Sequence, residues 1–108
     1  MDYGYPAERF AAARQAFMQS AADDGHEAVV SAFLECRLGL HRLYRSRLDE
    51  RTRSLIYTLE CFMDTEGVAA SGNDSAWAVK AKGLTTADKA HIRRVVDELA
   101  QFFASQDT

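Results

Sequence analysis

The chain has 108 residues, 47% hydrophobic and 27% charged, with a formal net charge of -3, proportions that describe one ordinary soluble domain over residues 1–108 and leave no room for a second of typical size. Eleven aromatic residues against one proline and six glycines exclude a disordered tail, a collagen-like repeat and low-complexity sequence. No apolar run approaches the roughly 18 residues that cross a bilayer, and Met1-Asp2-Tyr3-Gly4-Tyr5-Pro6 lacks the basic start and apolar stretch of a signal peptide, so a cytoplasmic chain without membrane association is expected.

Pro6 suits a first helical position, and Phe10, Ala13, Phe17 and Ala21 recur at spacings of 3 and 4, which predicts one apolar face of a helix ending near Ala22. Asp23-Asp24-Gly25 is the expected turn. A second helix opens around His26, with a seam of Val29, Phe33, Cys36, Leu40 and Leu43 stepping by 4, 3, 4, 3. A neighbouring row of Val30, Leu34, His41, Tyr44 and Leu48 widens the apolar arc until it needs cover on more than one side. Gly39 inside this helix costs roughly 1 kcal/mol relative to alanine, and with Ala32 and Cys36 it forms a strip of small residues on which a second helix is expected to cross closely.

Leu55, Ile56, Leu59, Phe62 and Met63 mark a third helix, with Gly67 as its expected C-terminal cap. Its start has two readings. Ser46-Arg47-Leu48-Asp49 has the form of a capping box and argues for a new helix there. The series Leu34, His41, Leu48, Leu55, Phe62 keeps a seven-residue repeat through the junction, however, and residues 44–54 hold no glycine or proline, which leaves one bent or continuous helix from about 26 to 66 as the alternative. Residues 67–75 form a loop. Asp74 or Ser75 caps a short helix from Ala76 to Lys82, closed by Gly83 and anchored by Trp77. Thr85 or Thr86 caps the last helix, whose face is Ile92, Val95, Val96, Leu99 and Phe103 and whose end falls near Ala104. The expected fold is all-α: a small antiparallel helical bundle of four main helices plus one short helix.

Charge is unevenly placed. Residues 37–53 carry six arginines (Arg37, Arg42, Arg45, Arg47, Arg51, Arg53) against Asp49 and Glu50, a segment of +4, while seven bases against fourteen acids leave the remainder at -7. Such an island attracts phosphates or acidic partners, or is neutralised by the acidic helices of its own chain or of a second copy. A recognition helix aligns its bases in one stripe. On a continuous helix Arg42, Arg45 and Arg53 fall on the polar face and Arg37, Arg47 and Arg51 toward the apolar side, so nucleic-acid binding through 37–53 ranks second.

Chemical sites are sparse. The glycines stand singly, with no phosphate-cradling loop. Asp88-x-x-His91 is half of a bundle metal motif without its second half, and Glu35 and Glu60 fall on polar faces. Cys36 sits on the apolar seam as a small hydrophobe, while Cys61, with Tyr57 and Asp64, lies on an accessible side without an activating neighbour; neither has a cysteine or histidine at zinc-ligand spacing, so both thiols are expected to be reduced. Arg37-Leu38-Gly39-Leu40-His41 invites comparison with the arginine and histidine of HEPN-class helical ribonucleases, but three intervening residues are too few and the pair is not in the last helix. It supports only a minor hydrolase alternative.

The expectation is therefore a non-enzymatic interaction or regulatory protein without cofactor or metal, acting as a homodimer or on a protein partner. Ala32, Cys36, Arg37, Gly39, His41, Tyr44, Arg47 and Arg51 are its candidate contact residues, because arginine and tyrosine are common at interfaces.

Overall fold

A computed structural model describes residues 3–18, 26–41, 43–68 and 75–106, with the backbone alone of His26. Within them the chain forms α1 (Gly4–Met18), α2 (His26–Leu40), a 3-10 turn (Arg45–Arg47), α3 (Glu50–Met63), α4 (Ala76–Lys82) and α5 (Thr86–Gln106). The fold is all-α, with no strand among the described residues. Ala21, the Asp23-Asp24-Gly25 turn, Arg42, residues 69–74 and the alternative cap Asp74 lie outside them.

α1 begins two residues earlier than expected, so Pro6 is its third residue and not its first. This costs nothing, because the first four helical N–H groups have no partner within the helix and proline lacks only one of them. The predicted face is buried: Phe10 and Ala13 are inaccessible and Phe17 nearly so. α1 packs on both α2 and α5. Phe10 stacks on Phe103 at 5.3 Å between ring centroids, and Tyr3 meets the same ring at 5.6 Å.

Val29, Phe33, Cys36 and Leu40 are buried as their spacing predicts, and Leu43 is half-buried. The neighbouring row behaves differently: Leu48 is buried and Val30 half-buried, but Leu34, His41 and Tyr44 are exposed. α2 also stops at Leu40, which overturns the continuous helix from 26 to 66. Residues 44–54 hold no glycine or proline, and tertiary contacts hold the turned chain. Leu48 drops into the core with only 5% of its surface exposed, and both guanidinium nitrogens of Arg45 donate to Glu60 at 2.7 Å, tying the 3-10 turn to α3. The capping box at 46–49 is also corrected. α3 starts at Glu50 with Asp49 as its N-cap, and the hydroxyl of buried Thr52 donates to the Asp49 carboxylate.

Ile56 and Leu59 carry α3 into the core, and α3 packs on α5. Its cap is Asp64 and not Gly67, which adopts φ +81° in the turn beyond it. The carbonyls at the end of α3 find partners on α4 instead: Trp77 Nε1 donates to Met63 O at 2.9 Å, and Lys80 Nζ donates to Cys61 O at 3.2 Å and to Asp64 O. A glycine cap at Gly67 is thereby unnecessary.

α4 matches its predicted bounds, with the Ser75 hydroxyl accepting from Ala78 N and Gly83 as C-cap. Thr85 and Asp88 form a reciprocal box: Asp88 N donates to the Thr85 hydroxyl at 3.0 Å and Thr85 N to the Asp88 carboxylate at 3.1 Å. All five predicted face residues of α5 are buried, together with Ala100, and the helix runs two residues past Ala104 to Gln106. No helix among the described residues is long and apolar enough to cross a membrane.

Candidate functional site

The eight candidate contact residues separate into an inner and an outer set. Ala32, Cys36 and Gly39 are buried, and the close crossing expected at this strip lies inside the chain, against α1. A β-carbon added at Gly39 would stand 3.1 Å from Arg9 Cβ and 3.1 Å from the edge of the Phe10 ring. Beside it Arg9 Nη1 donates to Glu35 at 2.8 Å, so the glutamate placed on a polar face by phase secures the same crossing. Burial pushes the Cys36 thiol far above its ordinary range, with the Glu35 charge adding to the effect. It is therefore a packed, protonated group and no nucleophile.

The outer set begins at Arg37, whose guanidinium lies 4.9 Å from the centroid of Trp77. Phe33 meets the same indole edge-on at 5.8 Å. His41 and Tyr44 are exposed, Tyr44 at 69%. Arg51 donates to Glu98 at 3.1 Å. Arg47 is exposed on the 3-10 turn, where its backbone N–H donates to Tyr44 O at 3.3 Å.

The arginine island is thus largely divided among partners of its own chain. Glu60 takes Arg45, and its hydrogen bonds raise the Arg45 pKa above the ordinary guanidinium value. Glu98 takes Arg51, and the Trp77 face takes Arg37. Asp49, in the middle of the island, keeps its carboxyl below the usual range through the Thr52 hydroxyl. Arg47 and Arg53 remain open to solvent, one on the 3-10 turn and one on α3, so the described arginines form no single stripe.

The remaining constellations supply no chemistry. No group of three metal-ligating side chains occurs among the described residues. Asp88 is engaged in the Thr85 box, and His91 stands against the edge of Phe62 at 5.5 Å. Cys61 is exposed, as its phase predicts, but the nearby Lys80 donates to its carbonyl and not to its sulfur. Arg37 and His41, the pair of the hydrolase alternative, stand one turn apart with His41 N donating to Arg37 O at 3.1 Å, and the Arg37 guanidinium lies over Trp77. The cleft between α1 and α5 is lined by side chains that pair with one another. There Arg14 pairs with Asp97 at 2.9 Å, and Arg93 lies over Phe17 and donates to its carbonyl at 3.1 Å.

One apolar surface is left over. Leu34 and Leu38 are 44% and 42% exposed, one turn apart at the centre of α2. With Ala12, Gln15 and Ala16 of α1 and Ser31 and Glu35 of α2 they line a groove between the two helices. Leu38 is absent from the sequence-derived candidates. The spacing of its row was readable in the chain, but the more strongly apolar row through Phe33 outweighed it.

No family model, curated protein or solved structure matches this chain.

Proposed function

We propose that the chain is a non-enzymatic, single-domain interaction protein of the cytoplasm, acting as a homodimer or on a protein partner through the outer face of α2. The observation that carries this reading is the pair Leu34 and Leu38, 44% and 42% exposed and adjoining along one groove, because contiguous exposed apolar surface marks contact sites. Arg37, His41 and Tyr44 continue the exposed surface toward the 3-10 turn, and Arg47 stands on that turn. The proposed architecture is a bundle of four main helices and one short one with antiparallel neighbours. Three contacts support it: Gly39 near the end of α2 sits on Arg9 and Phe10 near the start of α1, Phe103 near the end of α5 meets Tyr3, and Arg51 at the start of α3 reaches Glu98 in the later half of α5.

Light scattering at tens of micromolar is the test, with twice the 12.0 kDa chain mass as the expected result. A single-chain mass over that range would end the homodimer reading. Nucleic-acid binding through 37–53 loses ground because three of its arginines are engaged within the chain. Any affinity at low salt should collapse as salt rises, because arginine contacts to phosphates act by counterion release. Sub-micromolar binding near 150 mM salt would overturn the ranking.

A further inference from the structure

Leu34 and Leu38 belong to a longer row. Glu27, Ser31, Leu34, Leu38 and His41 are all exposed, and they step by 4, 3, 4, 3 along α2 and the turn that ends it. This spacing keeps side chains on one helical face and is the spacing of a two-helix seam. Val29, Phe33, Cys36 and Leu40 follow the same steps on the inner side, where α1 and the core already seal them. α2 therefore carries two seams, one used inside the chain and one open. Ala12, Ala16 and Ser31 are small and leave room in the groove beside the open seam, which Gln15 and Glu35 also line, so a further helix can approach it.

The charges along this seam select the occupant. Its acid, Glu27, stands in the first turn of α2 and its basic group, His41, just beyond the last, with Arg37 near the same end. Two such helices side by side in parallel would set Glu27 on Glu27 and His41 on His41. Antiparallel, with a two-fold axis at Leu34, residue 27 of one copy stands opposite residue 41 of the other, because 34 lies midway between them. The Glu27 carboxylate can then accept from the His41 imidazole at both ends, Leu34 meets Leu34 on the axis with Leu38 of each copy against Ser31 of the other, and the helix dipoles oppose. A two-fold contact of this kind closes on itself and stops at two subunits.

We infer that the partner of this face is a second copy of the same helix: α2 packs antiparallel on α2 of another subunit around a two-fold axis near Leu34, with Glu27 of each copy opposite His41 of the other. This rests on the homodimer reading and adds its surface, orientation and register.

The test is sedimentation equilibrium of the full chain in reducing buffer, which keeps the exposed Cys61 from cross-linking. The variants are Leu34→Glu, Glu27→Lys, His41→Glu and the double Glu27→Lys/His41→Glu, each checked for helical content by circular dichroism. Leu34→Glu should weaken dimerisation by on the order of tenfold or more, because it buries a charge at the axis. Leu34→Gln makes the same test in a milder form should the glutamate reduce helical content. Each single charge reversal should weaken the dimer by roughly two- to tenfold, as partly exposed pairs present twice in the dimer do, and the double should recover most of that loss. A parent that is monomeric would sink both the dimer reading and this inference. A parent dimer indifferent to the Leu34 changes would leave the dimer reading standing and overturn the inference. Dissociation by Leu34→Glu without recovery in the charge double would overturn the antiparallel register.

Discussion

The two long faces of α2 follow the same spacing, yet the one through Val29, Phe33, Cys36 and Leu40 is buried and the one through Leu34 and Leu38 is wet. Phe33 is inaccessible; its neighbour Leu34 is 44% exposed. Cys36 and Gly39 are sealed under α1, while Leu38, between them in sequence, faces solvent. What separates the faces is the supply of covering elements. α1 crosses close to one side because Gly39 lacks a side chain, and α4 brings Trp77 against Phe33. On the other side only the flank of α1, through Ala12, Gln15 and Ala16, borders Leu34 and Leu38 among the described residues. An apolar arc on a helix therefore counts how much surface could be buried, whereas the number of available neighbours sets how much is buried within one chain.

The largest effect expected from this contrast is Phe33→Ala, which removes a fully buried ring and should cost about 3–5 kcal/mol, against under about 1 kcal/mol for Leu34→Ala. Urea melts of the two variants under dissociating conditions provide the comparison, and equal losses would show that the faces are not as different as their exposure indicates. Gly39 sharpens the inner side. Gly39→Leu should cost about 1–3 kcal/mol by forcing α1 away. Gly39→Ala gains roughly 1 kcal/mol of helix propensity in open surroundings, but here its new methyl would press on Arg9 and on a Phe10 ring held by Phe103. A net loss is therefore expected, and a rise in melting temperature for Gly39→Ala would mean that the crossing has slack. The smallest effect belongs to Arg37, on the border between the faces. Arg37→Ala should cost about 0.5–1 kcal/mol through the lost cation–π contact, and a thermal melt unchanged from the parent would show that the arginine merely rests on the indole.

Much of the fold was legible because its signals are local. Ser75, Gly83 and the Thr85–Asp88 box mark their helix ends by hydrogen bonds that close within three residues, and the inner rows of α1, α2 and α5 follow from periodicity alone. A new helix near residues 46–49 was signalled by Ser46 and Asp49, but the place and cause of the break after Leu40 were not legible. A seven-residue repeat ran unbroken through it, and what turns the chain is long-range: Leu48 entering the core and Arg45 reaching Glu60, 15 positions away. Gly67 misled for the same reason, since the end of α3 is satisfied by Trp77 and Lys80 from another helix. Among the candidate contacts, residue type alone did not separate Ala32, Cys36 and Gly39, spent on the inner crossing, from Arg37, His41, Tyr44 and Arg47 on the outside. That division depends on which side α1 approaches from.

Trp77 is the only tryptophan in the chain, so its emission reports from a single place. The indole sits on α4, donates to the last turn of α3 and lies between a ring and a cation of α2. α4 is only seven residues long, far below the length at which an isolated helix holds together in water, so its native helix depends on docking. The colour and intensity of this one fluorophore should therefore follow the docking of α4. Stopped-flow refolding watched at that wavelength, beside far-ultraviolet dichroism for the longer helices, would time when the shortest helix joins the rest.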